Sequence, residues 1–389
     1  MKKFSKNTVI TVIITCICTL AAVNILSYFG IYVNDSNFPK LTRIMEIIEE
    51  EYVGTYTKDE CENAAINAVL GSIGDKYAVY YNEENAKETM QNIDGFYTGI
   101  GVEVFANTQE NIIEVLSVYE DSPADKAGML QGDRIVSVDQ KIYTADKLAD
   151  AVLHIKGIGV PNATQTPVVI EIERNNEKKK LTVKRAKVGL YEVKSEIVDN
   201  ICYIRYTGFS PESYKKFKEI VDLLDFSKIT GLVVDVRSNP GGEFNSALKM
   251  CDMFLDEETI IYTLDKDGNK TVYKGTQGKI EVPLAVIVSK NSASASEIFA
   301  GSLQANKRAV VIGEDTYGKG ETQTVMYLNG KDAAMGALKL TTYRNYTPDG
   351  KWINEKIKPD VYAEAGRVNG DIREDAAFKV AFEYLNKEK

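Results

Sequence analysis

The alternation of apolar and polar positions divides the chain into four regions of different character. An uncharged, strongly apolar stretch runs from Asn7 to Asn34, and from Pro39 to Asn92 apolar residues recur at helical spacing. Short segments in which apolar and polar residues alternate begin at Thr98, which is typical of half-buried strands. After Glu192, apolar strand-like runs alternate with helical patterns. These patterns predict an N-terminal anchor, a helical region, a β-rich domain and an α/β domain.

The N-terminal apolar stretch is longer than the roughly 20 residues that span a bilayer core. It follows Lys2, Lys3 and Lys6, and a positive flank of this kind stays in the cytoplasm. Residues 1–34 are therefore predicted to be a cytoplasmic tail and an uncleaved transmembrane anchor. The chain is expected to cross the cell membrane once, with everything after Asp35 extracytoplasmic. A cleaved signal peptide is the alternative interpretation, and it exports the same domains.

The other three regions give the predicted fold class and domain boundaries. Residues 35–95 are expected to form a small helical region, and residues 96–186 a β-rich domain with one or two short helices. Residues 187–389 hold strands such as GLVVDVR and PLAVIVS in alternation with helices, which indicates βαβ crossovers and a largely parallel sheet. The predicted fold class is thus an α/β catalytic core with βαβ crossovers, a β-rich domain, an N-terminal helical region and a transmembrane helix.

Composition narrows the chemistry that the chain can perform. The 389 residues carry a net charge of −9, which argues against a nucleic-acid partner. The single histidine, His154, lies in an amphipathic helical pattern, so H-E-x-x-H zinc chemistry is excluded and a Ser-His-Asp triad has only this residue to use. No C-x-x-C pair occurs among the five cysteines, and no metal site is predicted. A hydrolase built on this sequence therefore needs a proton acceptor other than histidine.

Three loops follow predicted parallel strands, and functional groups in such sheets collect beyond the carboxyl ends of the strands. The loop NSASAS opens a helix, and Ser294 with Glu297 fits the S-x-x-E pattern of a capping box. Taken alone, the segment is more typical of a helix cap than of a nucleophile. The same geometry nevertheless presents a serine on a sharp turn beside a free backbone N–H.

The other two loops are equally ambiguous when each is taken alone. Gly313 to Lys319 reads G-x-x-x-x-G-K, but Gly320 stands where a phosphate-binding loop needs Ser or Thr, so nucleotide binding is rejected. Lys319 is then either a surface lysine in a turn or a desolvated base with a lowered pKa. In NPGG, Gly241 or Gly242 either starts a helix or brings a backbone N–H to a substrate carbonyl. Their convergence in a chain without a usable histidine suggests a Ser-Lys hydrolase.

Four separated blocks agree in order and spacing with one known family. VVDVRSNPGG, SASASEIFAGSLQ, TYGKGETQ and TTYRNYTPDGKWI with IKPDV resemble the carboxyl-terminal processing peptidases, or tail-specific proteases, from about Leu41 to Val361. Spacing alone does not choose among Ser292, Ser294 and Ser296. The resemblance implies Ser294 as nucleophile, Lys319 as general base, Gln323 as its support, Glu297 in the active-site neighbourhood, and the backbone N–H groups of Gly241 and Ala295 as the oxyanion hole.

The segment from Thr98 to Arg185 resembles a PDZ domain. G-I-G-V matches the carboxylate-binding loop of such domains, which add a peptide strand to a sheet edge and capture its terminal carboxylate. Where relatives often have I-R-G, this chain has Lys156, which lacks the planar bidentate contacts of arginine. The implied peptide-binding residues are Gly99, Ile100, Gly101 and Val102.

The function expected from the sequence is a membrane-tethered, extracytoplasmic serine endopeptidase. It would recognise polypeptide C-termini through the PDZ domain and cleave by a Ser-Lys acyl-enzyme mechanism, with no cofactor. The expected partners are polypeptides with free C-termini and the membrane, bound through the N-terminal helix, but no nucleic acid. A homodimer is the oligomeric state that the family suggests. The alternative is a catalytically silent PDZ scaffold protein, against which the joint presence of Ser294, Lys319 and Gln323 argues.

Overall fold

The computed structural model describes residues 38–119, 121–157, 163–364, 366 and 370–387. Contacts divide the chain into two units, one ending at Ala68 and the other running from Val69 to Lys389. The first unit holds helix α1 (Pro39–Glu51) and most of helix α2 (Lys58–Ser72). Proline in the first turn of α1 suits helix initiation, because its missing N–H would be unpaired there anyway.

The second unit begins with a strand and a helix that precede the β-rich domain. The strand is β1 (Val79–Tyr81), which the helical spacing of the sequence did not predict. Helix α3 (Glu83–Ile93) follows it, and the side chain of Asn82 caps this helix by accepting a hydrogen bond from the Asn85 N–H at 2.9 Å. The strands and helices of the β-rich domain are β2 (Phe96–Gly99), β3 (Val102–Asn107), β4 (Ile112–Val118), α4 (Pro123–Lys126), β5 (Arg134–Val138), β6 (Lys141–Ile142), α5 (Leu148–Lys156), β7 (Pro167–Arg174), β8 (Glu177–Lys184) and β9 (Ala186–Gly189).

In the β-rich domain, strands β3-β4-β5-β7-β8 form an antiparallel sheet to which β6 adds, while β2 and β9 pair separately. Helix α5 ends at Gly157, whose φ of 77° suits glycine after a helix C-terminus. The buried guanidinium of Arg185 donates to the carbonyls of Ile155 and His154 at 2.7 and 2.8 Å. These bonds satisfy carbonyls that the end of the helix leaves unpaired.

The α/β core is a six-stranded sheet in the order β10-β11-β12-β15-β16-β19, parallel except at β10. Every residue of β12 and β15 is buried, as expected for parallel strands covered on both faces. Helices α6, α7 and α8 share a hydrophobic cluster on one face, and α9 packs on the other. The core elements are β10 (Val193–Val198), β11 (Ile201–Tyr206), α6 (Pro211–Asp222), β12 (Gly231–Asp235), α7 (Phe244–Asp252), β15 (Leu284–Val288), α8 (Ala295–Ala305), β16 (Val310–Gly313), β19 (Val361–Tyr362) and α9 (Ala376–Lys387). The predicted βαβ crossovers are therefore present.

A further sheet joins distant parts of the second unit. Its order is β1-β18-β13-β14, with β17 paired to β18. Besides β1, its strands are β13 (Thr259–Leu264), β14 (Lys270–Lys274), β17 (Glu321–Tyr327) and β18 (Ala337–Tyr346). The pairing of β1 with β18 puts the segment before the β-rich domain beside strands that lie near the end of the chain.

The predicted transmembrane helix requires a correction. Among the residues that the structure describes, no helix is both long and apolar enough to cross a lipid bilayer. This finding contradicts the transmembrane part of the predicted fold class and the predicted single-pass membrane localisation. Residues 1–34, to which the anchor was assigned, lie outside the described residues.

Candidate active site

The three loops singled out by the sequence meet at the carboxyl edge of the core sheet. Because β12, β15 and β16 are parallel neighbours, the loops that follow them emerge side by side. Backbone bonds join the loops directly: the N–H of Ala293 donates to the carbonyl of Asn239 at 3.0 Å, and the N–H of Tyr317 donates to that of Ser292 at 3.0 Å. The loops therefore form one site.

The structure distinguishes the three serines of the SASAS segment. The Ser292 hydroxyl donates to the carbonyl of Val236 at 2.8 Å, and the Ser296 hydroxyl donates to that of Asn239 at 2.9 Å. Both side chains are fully buried. Ser294 precedes α8 with φ 55° and ψ −112°, a strained backbone conformation for a residue other than glycine. Two serines thus serve the loop structure, and the strained Ser294 is partly exposed in the site.

The carboxylate of Glu297 is the centre of the site. This side chain is completely buried and accepts four hydrogen bonds. One oxygen accepts from the backbone N–H groups of Ser294 and Lys319, both at 2.8 Å. The other accepts from the Thr316 hydroxyl at 2.6 Å and the Gly318 N–H at 2.7 Å. Glu297 consequently fixes the serine loop against the lysine loop.

Lys319 is half-buried, and its ammonium lies 4.7 Å from the centroid of the Tyr77 ring. Burial lowers the pKa of Lys319, and the nearby ammonium of Lys339 lowers it further, whereas the carboxylate of Glu321 raises it. Within the described residues, the ammonium has neither an ion pair with a carboxylate nor a hydrogen bond to the Ser294 hydroxyl. The two groups are therefore neighbours in one site that are not in direct contact.

Among the described residues, no hydrogen bond joins the side chain of Gln323 to the Lys319 ammonium. Its amide nitrogen donates to the carbonyl of Glu321 at 3.1 Å and to the Thr341 hydroxyl at 3.4 Å. Thr341 is held in turn by Asp75, whose carboxylate accepts from its N–H at 2.9 Å and its hydroxyl at 3.1 Å. A supporting role of Gln323 toward Lys319 stays a prediction.

The NPGG loop lies directly on the serine turn. A Cβ added to Gly241, whose φ is 105°, would lie 2.9 Å from both the Ser294 Cβ and the Ala295 nitrogen. The Ala295 N–H occupies the first helical position, where α-helices leave amides unpaired, and it has no partner among the described residues. The Gly241 N–H, in contrast, donates to the Asn239 side-chain oxygen at 2.9 Å. Of the two predicted oxyanion donors, only the Ala295 N–H is free.

Sequence reasoning missed two residues that shape this site. Asn239 is fully buried, and its side-chain nitrogen donates to the carbonyl of Tyr206 at 2.8 Å while its oxygen holds Gly241. Its position before Pro240 was the available signal, since asparagine favours turns through side-chain bonds of this kind. Tyr77, the aromatic partner of Lys319, had no local signal because it lies far away in sequence.

A buried charge network supports the start of the NPGG loop. The guanidinium of Arg237 pairs with the carboxylates of Asp235 at 2.6 Å and Asp375 at 2.8 Å. Asp375 also accepts a hydrogen bond at 2.9 Å from the N–H of Phe378 in the first turn of α9. The C-terminal helix is thereby attached to the segment that leads into the NPGG loop.

The predicted peptide-binding residues also lie together. Gly99, Ile100, Gly101 and Val102 line a narrow cavity of about 40 Å³ beside α5. Lys156, at the end of α5, lines the same cavity and forms an ion pair of 2.8 Å with Glu88 of α3. Their placement between a strand and a helix suits the addition of a peptide strand.

Comparison with known proteins identifies the class of this fold and site. Residues 98–184 match the PDZ domain, and residues 200–363 match peptidase family S41. The chain is therefore a serine-type peptidase that carries a PDZ domain, and its substrates are polypeptides.

Particular relatives define the family more narrowly. The carboxy-terminal processing protease CtpA of Bacillus subtilis is 34% identical over 336 residues, which are 85% of this chain and 70% of the relative. The carboxy-terminal-processing protease of Bartonella bacilliformis is 33% identical over 345 residues, 85% of this chain and 77% of the relative. The photosystem II D1 C-terminal processing protease has the same fold, with a TM-score of 0.50, 24% identity, and coverage of 85% of this chain and 89% of that one. The chain belongs to the carboxy-terminal processing proteases, which confirms the resemblance seen in the sequence.

Proposed function

We propose that this protein cleaves polypeptides by a Ser-Lys mechanism with Ser294 as nucleophile and Lys319 as general base. The observation that carries the proposal is the fourfold-bonded carboxylate of Glu297, which joins the backbone of both residues. A second support is the structural use of the hydroxyls of Ser292 and Ser296, which leaves Ser294 for chemistry.

The reaction begins with neutral Lys319. Its amine takes the proton of the Ser294 hydroxyl while the oxygen attacks the carbonyl carbon of the scissile peptide bond. The negative charge that develops on the carbonyl oxygen is stabilised by the Ala295 N–H and by a glycine N–H of the NPGG loop. The Lys319 ammonium then protonates the departing amine, which leaves the acyl group on Ser294. Water, deprotonated by Lys319, hydrolyses this ester and restores the serine.

Two properties of Lys319 favour this role. Desolvation by burial lowers its pKa, and so increases the fraction of neutral amine at a given pH. Its ammonium has no carboxylate partner among the described residues, so no ion pair must be broken before it reacts. The aromatic face of Tyr77 is its principal contact.

The described arrangement requires two local movements before catalysis. The amine of Lys319 must leave the Tyr77 ring and reach the Ser294 hydroxyl. The N–H of Gly241 must leave the Asn239 side chain if it is to bind the oxyanion. We infer that this is a resting arrangement and that substrate binding supplies the free energy for both changes.

Substrate recognition is assigned to the β-rich domain. The carboxylate of a polypeptide C-terminus is proposed to bind the backbone N–H groups of the loop from Gly99 to Val102, and the residues before it to extend along β3. The proposed boundaries are residues 96–186 for this peptide-binding domain, residues 187–389 for the peptidase core, and residues 35–95 for the helical region.

The test is hydrolysis of unfolded casein by the wild type, Ser294→Ala and Lys319→Ala. Both variants are expected to lose turnover and to keep their thermal unfolding temperature. Lys331→Ala, which removes an exposed lysine outside the site, is the matched control and should cleave like the wild type. Residual cleavage by a pure Ser294→Ala preparation would contradict the proposal.

If the protein is instead a catalytically silent PDZ scaffold, binding and cleavage assays should give different results. Peptides with a free C-terminal carboxylate would bind to the wild type without being cleaved, and Ser294→Ala would change nothing. Binding of the same peptides with an amidated C-terminus provides the control for carboxylate recognition.

A further inference from the structure

A large cavity separate from the peptide groove lies where the PDZ domain meets the core. Its volume is about 640 Å³, within the range of cavities that hold small molecules. Four lysines line it: Lys126 of α4, Lys184 of β8, Lys187 of β9 and Lys216 of α6. The lining holds a single carboxylate among the described residues, that of Asp121.

The charge balance of this cavity is opposite to that of the chain. The chain has 56 acidic and 47 basic residues, whereas the described cavity wall has four lysines and one aspartate. Lys126 donates to the backbone carbonyl of Asp121 at 2.6 Å, and the ammonium of Lys187 lies 4.1 Å from the centroid of the Phe96 ring. Among the described residues, none of the four ammoniums pairs with a carboxylate. Their mutual repulsion is therefore only partly offset by the single carboxylate of the lining, and a bound anion would relieve it further.

An adjoining cavity of about 420 Å³ shares Lys187 and Lys216. Asp94 and Glu212 line this second cavity only, so their carboxylates are absent from the lining of the larger one. The described lining of the larger cavity thus has four lysines to one carboxylate, whereas that of the smaller has two lysines to two carboxylates.

The wall of the larger cavity also supports the proposed carboxylate-binding loop. The carbonyl of Gly101 accepts hydrogen bonds from the Tyr119 N–H at 2.9 Å and from the Ser122 hydroxyl at 3.2 Å. The carbonyl of Ile100 accepts from the Ala124 N–H at 2.8 Å. Tyr119 and Ser122 line the cavity, so a ligand there contacts the segment that holds the loop in place.

We propose that this cavity binds a small multivalent anion of the oligophosphate or polycarboxylate class. Lysine ammoniums are compact charges with three donors each, which suits anions that present several oxygens. Lys126 and Lys184 belong to the PDZ domain and Lys216 to the core, so a bound anion attaches one to the other. The anion thereby changes the peptide affinity of the carboxylate-binding loop.

The site is tested by calorimetric titration of the full chain with tripolyphosphate and, separately, with citrate. We expect saturable binding of the anion to the wild type. The double variant Lys187→Gln/Lys216→Gln should weaken this binding at least about tenfold, because the anion loses two contacts with positive charges. Lys178→Gln/Lys180→Gln is the matched control. It also removes two positive charges, but from lysines of β8 that pair with Glu171 and do not line the cavity. Tighter binding of tripolyphosphate assigns the site to phosphates, and tighter binding of citrate assigns it to carboxylates. Absence of saturable binding, or equal loss in both variants, would overturn the site.

The coupling to peptide binding is measured separately and rests on the proposed function of the loop. The affinity for a peptide with a free C-terminus is expected to change at least about threefold at saturating anion, and not to change in Lys187→Gln/Lys216→Gln. Anion binding is measured without a peptide, so its failure is distinguishable from a failure of peptide recognition. Unchanged peptide affinity in the wild type would overturn the coupling.

Discussion

The Glu297 carboxylate accepts a hydrogen bond from the backbone N–H of Lys319 at 2.8 Å, across the gap between two strand-end loops. The same oxygen accepts from the N–H of Ser294, so one buried anion fixes the backbone of Ser294 relative to that of Lys319. A carboxylate can accept several such bonds at once because both of its oxygens carry negative charge.

We expect Glu297→Gln to lower both stability and turnover. The amide nitrogen of glutamine cannot accept hydrogen bonds, so at least one buried donor loses its partner, at a cost of about 2 kcal/mol or more. Urea unfolding measures the loss of stability, and kcat on casein is measured well below the unfolding transition. Ser302→Ala, in the same helix but with a hydroxyl that donates to the carbonyl of Ile260, is the control for a general effect on α8. Unchanged kcat in a folded Glu297→Gln variant would contradict the positioning role.

The pH dependence of kcat/KM is expected to follow the protonation of Lys319. Activity should rise with pH as the ammonium loses its proton, with a midpoint below that of an ordinary lysine, because burial lowers its pKa. Two variants should move this midpoint in opposite directions. The carboxylate of Glu321 raises the pKa of Lys319, so Glu321→Gln should shift the rise in activity to lower pH. The ammonium of Lys339 lowers the pKa of Lys319, so Lys339→Gln should shift the rise to higher pH. Shifts of the same sign in both variants would exclude Lys319 as the titrating base.

Gly241→Ala is expected to reduce kcat at least about tenfold, because oxyanion donors act in the transition state. The new methyl group would lie 2.8 Å from the carbonyl oxygen of Ala293 and 2.9 Å from the Ala295 nitrogen, and so would displace the serine turn. Gly278→Ala is a close control, since its φ of 106° matches the 105° of Gly241 but nothing lies within 4 Å of the added carbon. Both variants place alanine at nearly the same positive φ, and only Gly241→Ala should lose activity.

Asp375→Asn is expected to destabilise the fold by about 3 kcal/mol, because it removes one partner of a buried ion pair. Asp371→Asn, an exposed partner of Arg373, should change stability little. Denaturant unfolding of both variants gives the comparison. If the network positions the oxyanion loop, kcat of Asp375→Asn also falls under conditions where the variant is fully folded.

The sequence was sufficient to predict that the three loops lie close together, because the alternation of apolar strands with helices indicates a parallel sheet. The sequence alone did not distinguish Ser292, Ser294 and Ser296 as the candidate nucleophile, and only the family resemblance selected Ser294. In the structure, the hydroxyls of Ser292 and Ser296 donate to backbone carbonyls, which leaves Ser294 as the candidate. The contact of Gln323 with Thr341 depends on how β17 pairs with β18, which no local pattern encodes.

Tyr77 and strand β1 show why other features of the fold and the site could not be predicted from the sequence. Both lie in a segment whose pattern is helical, and both acquire their roles from partners more than two hundred residues later in the chain. The predicted transmembrane helix is wrong on a different ground. Apolar composition indicates what a membrane would accept, but the described helices include none that could span one.

The pairing of β1 with β18 has a topological consequence. Strand β1 precedes the PDZ domain and β18 follows it, yet both belong to one sheet, so the PDZ domain is an insertion within a single peptidase fold. Its entry and exit strands, β2 and β9, run side by side, with Phe96 opposite Gly189 and Gly99 opposite Ala186. The chain therefore enters and leaves the inserted domain through one two-stranded ribbon, and the peptidase sheet is completed by strands that lie on both sides of the insertion in the sequence.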